Sequence, residues 1–216
     1  MVDEMFEYGR FILKEKRKNP ANDLLSAIAN AEINGEKLSD EFLDGSWLLI
    51  IFAGNDTTRN TMSGGIKLLH ENQKQKEMLI DNLELLPNFI NETVRCVSPV
   101  IHMRRTSLEE TEINGQKIGP YEKIALWYGA ANRDPDVFED PDKFNILRDN
   151  ADKHLAFGIG RHTCIGKPVA LMQLQEFYSQ FLTRFQDFEM NGDWKVAPNN
   201  FVHAIQEMPI KFSPSK

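Results

Sequence analysis

At 216 residues, 41% of them hydrophobic, the chain can build one sizeable core or two small ones and is too short to demand several domains. Its formal charge of -7 sets up a long-range field that repels phosphate, so neither nucleic acid nor an anionic bilayer is the expected partner. Only two cysteines, Cys96 and Cys164, occur, with no signal-peptide pattern and a longest apolar cluster of about seven residues, Trp47 to Ala53. These features argue against a disulfide-stapled secreted domain and against a membrane span, which needs roughly 20 apolar residues; the expected compartment is the cytoplasm.

In chain order, Met5, Phe6, Tyr8, Phe11, Ile12 and Leu13 recur at near-helical spacing, and a Lys/Arg-rich last turn runs into Asn19-Pro20, predicting a helix over 2–18. A short helix from about Asp23 to Ala31 follows. Asn34-Gly35 marks a turn, and Ser39 with Asp40 and Glu41 can cap a long helix reaching about Glu71. Ala53-Gly54-Asn55-Asp56-Thr57-Thr58 runs through its middle as an expected interruption, because glycine costs about 1 kcal/mol against alanine and threonines are mediocre helix formers. Another helix is predicted over 85–97, ending at Ser98-Pro99. Short extended pieces then follow around 100–103, 112–113, 116–118 and 123–127, with Asn114-Gly115 as a hairpin signal. Residues 132–150, rich in Pro, Asp and Asn, read as an ordered meander. After the loop 157–166 an amphipathic helix is expected over 168–184, and the tail from Phe188 reads as short strands and turns. No internal repeat or low-complexity segment appears.

Three features carry chemistry. In Phe157-Gly158-Ile159-Gly160-Arg161-His162-Thr163-Cys164-Ile165-Gly166, the glycines permit close approach to a flat cofactor. Cys164 lies just ahead of a helix whose positive end favours a thiolate, which makes it a candidate metal ligand. Taken in isolation the same loop also fits a buried free cysteine beside a glycine turn. Zinc fits poorly, since a structural site needs about four Cys or His ligands and only His162 is near. Glu92 and Arg95 stand three apart on one helical face, a spacing that by itself equally suits a solvated surface pair. The Gly54 to Thr58 stretch also fits a plain packed helix with threonines bonding back to the preceding turn.

Taken together in this order, the interrupted long helix, Glu-x-x-Arg helix, Asn-Arg-Asp-Pro meander and cysteine loop resemble the cytochrome P450 family over essentially the whole chain. The cysteine loop is the most specific of these motifs. The resemblance implies a mainly α fold with minor short β-sheets. It makes residues 1–216 one partial domain, the carboxy-terminal portion of the P450 fold, with the amino-terminal half absent. It further implies heme b as cofactor, with Cys164 as the axial thiolate. Phe157, Gly158 and Gly160 would shape the loop, and His162 and Arg105 would bind propionates; Arg104 is an alternative to Arg105. Gly54 would leave room for dioxygen, and Asp56 and Thr57 would relay protons to it. Glu92, Arg95 and Arg148 would form a buried structural set, Arg148 being open to a plain surface reading. Val100, Ile101, Met103, Phe201 and Val202 are candidates for the substrate cavity and equally for ordinary core.

The stretch 55–65, with His102-Met103-Arg104-Arg105-Thr106 and Trp127-Tyr128, is most similar to bacterial hydroxylases of alkanes and fatty acids at the terminal carbon; steroid and terpene enzymes of the family share several of these residues. The implied reaction inserts one atom of dioxygen into an unactivated C–H bond of an apolar small molecule. No Rossmann, flavin or iron–sulfur motif is present, so electrons are expected from a ferredoxin and its reductase. Lys153, Arg161 and Lys167 offer a docking patch or a simple solvated charge run. A heme-binding remnant and a non-catalytic scaffold are the competing readings of so short a family member.

Overall fold

The computed structural model describes residues 2–214, and its contacts gather into two compact units divided after Asn55. In the first unit, α1 (Val2–Lys18) carries Asp3 and Glu4 in its first turn and Lys16, Arg17 and Lys18 in its last, each sign opposing the helix dipole. α2 (Leu24–Ala29) is shorter than expected at both ends. It is capped by Asp23, whose carboxylate accepts from the Ser26 N–H at 2.8 Å. β1 (Glu32–Ile33) and β2 (Glu36–Lys37) pair across a turn in which Asn34 and Gly35 both take positive φ, 55° and 83°. The Ser39 hydroxyl accepts from the Phe42 N–H at 3.3 Å and starts α3 (Asp40–Glu71). Leu13, Ala29, Leu43 and Trp47 form this unit's core. Gly9 admits the indole, since a Cβ there would lie 2.5 Å from Trp47.

α3 continues into the second unit without a break through residues 53–58, which corrects the expected interruption. The Thr61 hydroxyl donates to the Thr57 carbonyl at 2.8 Å, so just after this stretch a threonine bonds back to the preceding turn within the continuous helix. α4 (Gln73–Asp81) was not predicted. A 3-10 turn at Leu83–Leu85 leads into α5 (Leu86–Val97), which ends at Ser98 in the left-handed region, φ 42°. Next come β3 (His102–Thr106), β4 (Thr111–Ile113), β5 (Gln116–Ile118), β6 (Lys123–Trp127) and the single turn α6 (Tyr128–Ala131). The meander follows, then α7 (Lys167–Arg184), β7 (Asp187–Met190), β8 (Lys195–Val196), β9 (Ile205–Glu207) and β10 (Ile210–Ser213). Strands pair two by two, all antiparallel: β3 with β6, β4 with β5, β7 with β10 and β8 with β9.

The core of this unit lies between α3, α5 and α7, around Ile66, Phe89, Val94, Leu174, Tyr178 and Leu182. Each such side chain contributes about 1.5–3 kcal/mol by leaving water. The Tyr178 hydroxyl, buried with them, donates toward the Thr61 and Met62 carbonyls at 2.9 and 3.1 Å, locking α7 onto α3. Among the described residues no helix is long and apolar enough to cross a membrane.

Candidate functional site

The loop 155–166 is folded by its own backbone. Gly158 N–H donates to the Leu155 carbonyl at 2.8 Å, Thr163 N–H to Gly160 at 3.1 Å, and Cys164 N–H to Phe157 at 2.8 Å. Gly158 takes φ +71°, and a Cβ on it would stand 2.9 Å from the His162 carbonyl oxygen, so both conformation and space require glycine. Gly160 also has positive φ and opens the 3-10 turn Gly160–His162. The turn returns the chain so that Cys164 precedes α7 and presents a free, exposed thiol. Around it in sequence, Ile159 and Ile165 are each 75% exposed, and Val169 and Met172, three apart on the first turns of α7, are 52% and 64% exposed. The exposed sulfur and these open aliphatic side chains, close to it in sequence, have the chemistry that a flat apolar ligand would need. His162 is exposed within the turn, and the Lys167 ammonium lies 5.5 Å from the Phe157 ring centroid.

The other cysteine behaves oppositely. Burial, with Glu92 beside it, pushes the Cys96 thiol up to about 11, so it stays protonated. Among the described residues no group of three or more His, Cys, Asp or Glu gathers into a metal cluster.

Beneath the meander, Glu92 and Arg95 are fully buried and Arg148 nearly so. Arg95 Nε and Nη2 reach the two Glu92 oxygens at 2.7 and 2.8 Å, and Arg148 Nε reaches them at 3.2 and 3.1 Å. The remaining guanidinium N–H groups are taken by meander carbonyls: Arg95 by Asn132 and Pro141, Arg148 by Glu139 and Asp140, and both by Lys143. Glu92 also accepts the Asn145 N–H at 2.8 Å. One carboxylate and two guanidiniums thus organise an irregular segment whose carbonyls would otherwise be buried without donors. Burial opposes the Arg95 charge, but the Glu92 hydrogen bond and nearby acids outweigh it and hold the Arg95 pKa above its ordinary value.

Two polar residues connect this network to the cysteine loop. Asn132, with no exposed surface, donates to the Ser98 hydroxyl at 2.8 Å and accepts from the Leu155 N–H at 2.6 Å. Its neighbour His154 is buried, accepts the Ala156 N–H through Nδ1 at 3.3 Å and lies 5.6 Å from the Phe157 ring. Desolvation, reinforced by Lys167, pulls its pKa down to about 4. Neither was assigned a role from sequence. Asn132 lies in the Asn-Arg-Asp-Pro motif, which could have flagged it; His154, a lone histidine, gave no such signal.

Arg105 shares a face of β3 with Met103, because side chains alternate along a strand; these two stand opposite Ile124 and Leu126 of β6. Arg104 lies on the other face with His102, whose ring meets Trp127 at 4.8 Å. Among the described residues no carboxylate pairs with Arg105, and its guanidinium donates to the Arg104 carbonyl at 3.0 Å. Val100, Ile101, Phe201 and Val202 come together from segments about 100 residues apart: Val100 bridges Val202, and the Ile101 N–H donates to the Phe201 carbonyl at 2.8 Å. Asp56 pairs with Arg59 at 2.8 Å on the half-exposed side of α3, one residue before Thr57. Gly54 belongs to the first unit, where a Cβ on it would meet nothing within 4 Å.

The cytochrome P450 family model matches residues 1–212. Linalool 8-monooxygenase of Pseudomonas putida is 36% identical over 214 residues, covering 99% of this chain and 52% of its own. Steroid C26-monooxygenase of Mycolicibacterium smegmatis is 37% identical over 211 residues, covering 97% of this chain and 52% of its own. The structure of cytochrome P450-153 from Novosphingobium aromaticivorans superposes with a TM-score of 0.89 at 36% identity, covering 98% of this chain and 53% of that one. The chain therefore spans about half the length of the relatives it matches.

Proposed function

Because the chain belongs to the cytochrome P450 family, we propose that it carries the thiolate loop and proton-relay helix of a heme monooxygenase. Its reaction is insertion of one atom of dioxygen into an unactivated C–H bond of an apolar molecule. The observation carrying this reading is the exposed Cys164 thiol, set in a glycine turn beside open aliphatic surface and backed by the Glu92–Arg95–Arg148 network. These residues suit heme b: a soft sulfur donor for iron, Ile159, Ile165, Val169 and Met172 for the macrocycle, and Arg105 and His162 for its carboxylates. When bound, the heme supplies dioxygen activation and a thiolate ligand favours O–O cleavage.

The chain's own residues supply the rest. Asp56 accepts and returns protons from solvent at its carboxylate oxygens, releasing Arg59 as it does so, and Thr57 passes them inward through its hydroxyl. Val100, Ile101, Met103, Phe201 and Val202 offer an apolar wall that excludes water and orients a hydrocarbon chain. We assign the substrate class as alkanes or fatty acids, oxidised at the terminal carbon, on the motif pattern of 55–65 and 102–106. A second reading, a terpene or steroid substrate, is favoured by the linalool and steroid monooxygenases among the relatives. Electrons come from a ferredoxin and its reductase, docking near the exposed Lys153 and Arg161.

The test is a binding and product panel on the heme-loaded chain: dodecane, dodecanoic acid, linalool and a cholestenone, scored by the substrate-induced shift of the heme absorption and by product analysis. Terminal alcohols from the first two support the assignment. Turnover confined to the terpene or steroid selects the second reading, and no shift with any of the four overturns both.

A further inference from the structure

Asn60 is fully buried on α3, one turn beyond Asp56 and Thr57. Its Oδ1 accepts the Ile205 N–H at 3.0 Å, across 145 residues of chain. Its Nδ2 is buried and has no partner. An unsatisfied buried donor is a standing cost that a leucine of similar shape would avoid, so the position serves the acceptor oxygen. What that oxygen holds is the segment leading into β9. Residues 201–205 are otherwise fastened to the strand segment before β3, through the Val100–Val202 bridge, Ile101 N–H to Phe201 O at 2.8 Å and His203 N–H to Pro99 O at 2.9 Å, and to the end of β8, through Ala197 N–H to Ala204 O at 2.8 Å and the Val196–Ile205 pairing, with Asn199 capping the Phe201 and Val202 N–H groups. The Asn60 bond ties this segment to the helix bearing the acid and the alcohol.

We propose that Asn60 is a positioning residue of the monooxygenation site, fixing the Phe201–Ile205 wall of the substrate cavity against the α3 turn that carries Asp56 and Thr57. This rests on the monooxygenase reading above. A wall anchored to the relay helix holds the oxidised carbon at a fixed height along the substrate chain, so the anchor governs which carbon reacts and how much dioxygen escapes as peroxide.

The test compares Asn60→Leu, which keeps the branched shape and loses the acceptor, with Asn60→Asp, which keeps the acceptor. In amide hydrogen exchange on the chain, Asn60→Leu speeds exchange of the Ile205 amide at least about tenfold, a loss of about 1.4 kcal/mol of local protection, whereas Asn60→Asp stays within about twofold of the parent. If Asn60→Leu does not accumulate as folded protein, Asn60→Ala deletes the same acceptor without adding bulk and replaces it. In the heme-loaded chain with ferredoxin, reductase and NADPH, loss of the acceptor spreads hydroxylation over neighbouring carbons of dodecanoic acid and raises peroxide at least about threefold, and Asn60→Asp restores both. Unchanged Ile205 exchange overturns the anchor. Faster exchange with unaltered product positions and peroxide reduces Asn60 to a fold residue and overturns the positioning role. A parent chain that forms no product overturns the monooxygenase reading and the positioning role with it, whereas a productive parent with an indifferent Asn60→Leu overturns the positioning role alone.

Discussion

Replacing Glu92 by Gln is the most demanding test of the buried network. The carboxylate receives Arg95 through two N–H groups at 2.7 and 2.8 Å, Arg148 through one shared between its oxygens, and the Asn145 N–H. Glutamine keeps the shape but removes the negative charge shared by two buried guanidiniums and turns an NH2 toward a donor. Removing one partner of a buried ion pair costs about 3–5 kcal/mol, a large part of the roughly 5–15 kcal/mol by which domains are stable. Urea unfolding followed by fluorescence should show the midpoint falling by an amount equivalent to at least about 3 kcal/mol, with faster amide exchange over 139–148. The internal control is Arg59→Ala, which breaks the exposed Asp56 pair and should cost about 1 kcal/mol or less. A Glu92→Gln loss no larger than that of the control would refute the view that this network organises the meander.

Gly158→Ala places a methyl 2.9 Å from the His162 carbonyl at φ +71°, so the cysteine loop should shift and heme retention, measured by absorbance after gel filtration, should drop at least about tenfold. Asp56→Asn should leave the heme spectrum unchanged while slowing product formation at least about 100-fold, as expected for loss of a proton donor, with oxygen consumption diverted to peroxide. His154 has a folded pKa of about 4 against an ordinary 6.5. Between these values the unfolded chain takes up a proton that the folded chain refuses, so stability is full above about pH 6.5 and falls as pH drops toward 4, by about 3 kcal/mol. Since carboxylates such as Asp140 also titrate in acid, the check is the difference between the parent and His154→Gln in urea midpoints at pH 7 and pH 4.5, and equal acid sensitivity would count against a buried neutral histidine.

How much of this was legible in the sequence depended on whether a residue's partners were local. The caps at Asp23 and Ser39 and the turns at Asn34-Gly35 and Asn114-Gly115 act within a few residues, and the helix start at Ser39 and both turns lie where the pattern predicted, while α2 is shorter and the strands β1 and β2 flanking Asn34-Gly35 were not anticipated. α4 was missed because Gln73–Asp81 is mostly Lys, Gln and Glu, with Met78, Leu79 and Ile80 consecutive instead of helically spaced, so only Leu79 and Lys76, whose ammonium donates to the Phe188 carbonyl, are buried. β3 begins two residues later than the apolar run suggested. Val100 bridges Val202 instead of joining β6, while Arg104 and Arg105 lie in the paired strand despite their charge. Gly64 and Gly65 are needed for contact with Val97 and Tyr178 on other helices, which local propensity cannot express. In the site, the cysteine loop announces itself through glycines that its own backbone requires. Asn60 and His154 are lone polar residues that acquire meaning only from partners or burial the fold provides, and Asn132, though its motif marks it, shows its role only through its bonds to Ser98 and Leu155.

Thiolate ligation by Cys164 is tested most directly by the absorption spectrum of the heme-supplied, reduced chain after carbon monoxide addition, beside Cys164→Ser and Cys96→Ser. A strongly red-shifted Soret band in the parent and in Cys96→Ser, lost in Cys164→Ser, is the predicted result. A band at the histidine-type position in all three, or one abolished by Cys96→Ser and kept by Cys164→Ser, would contradict it.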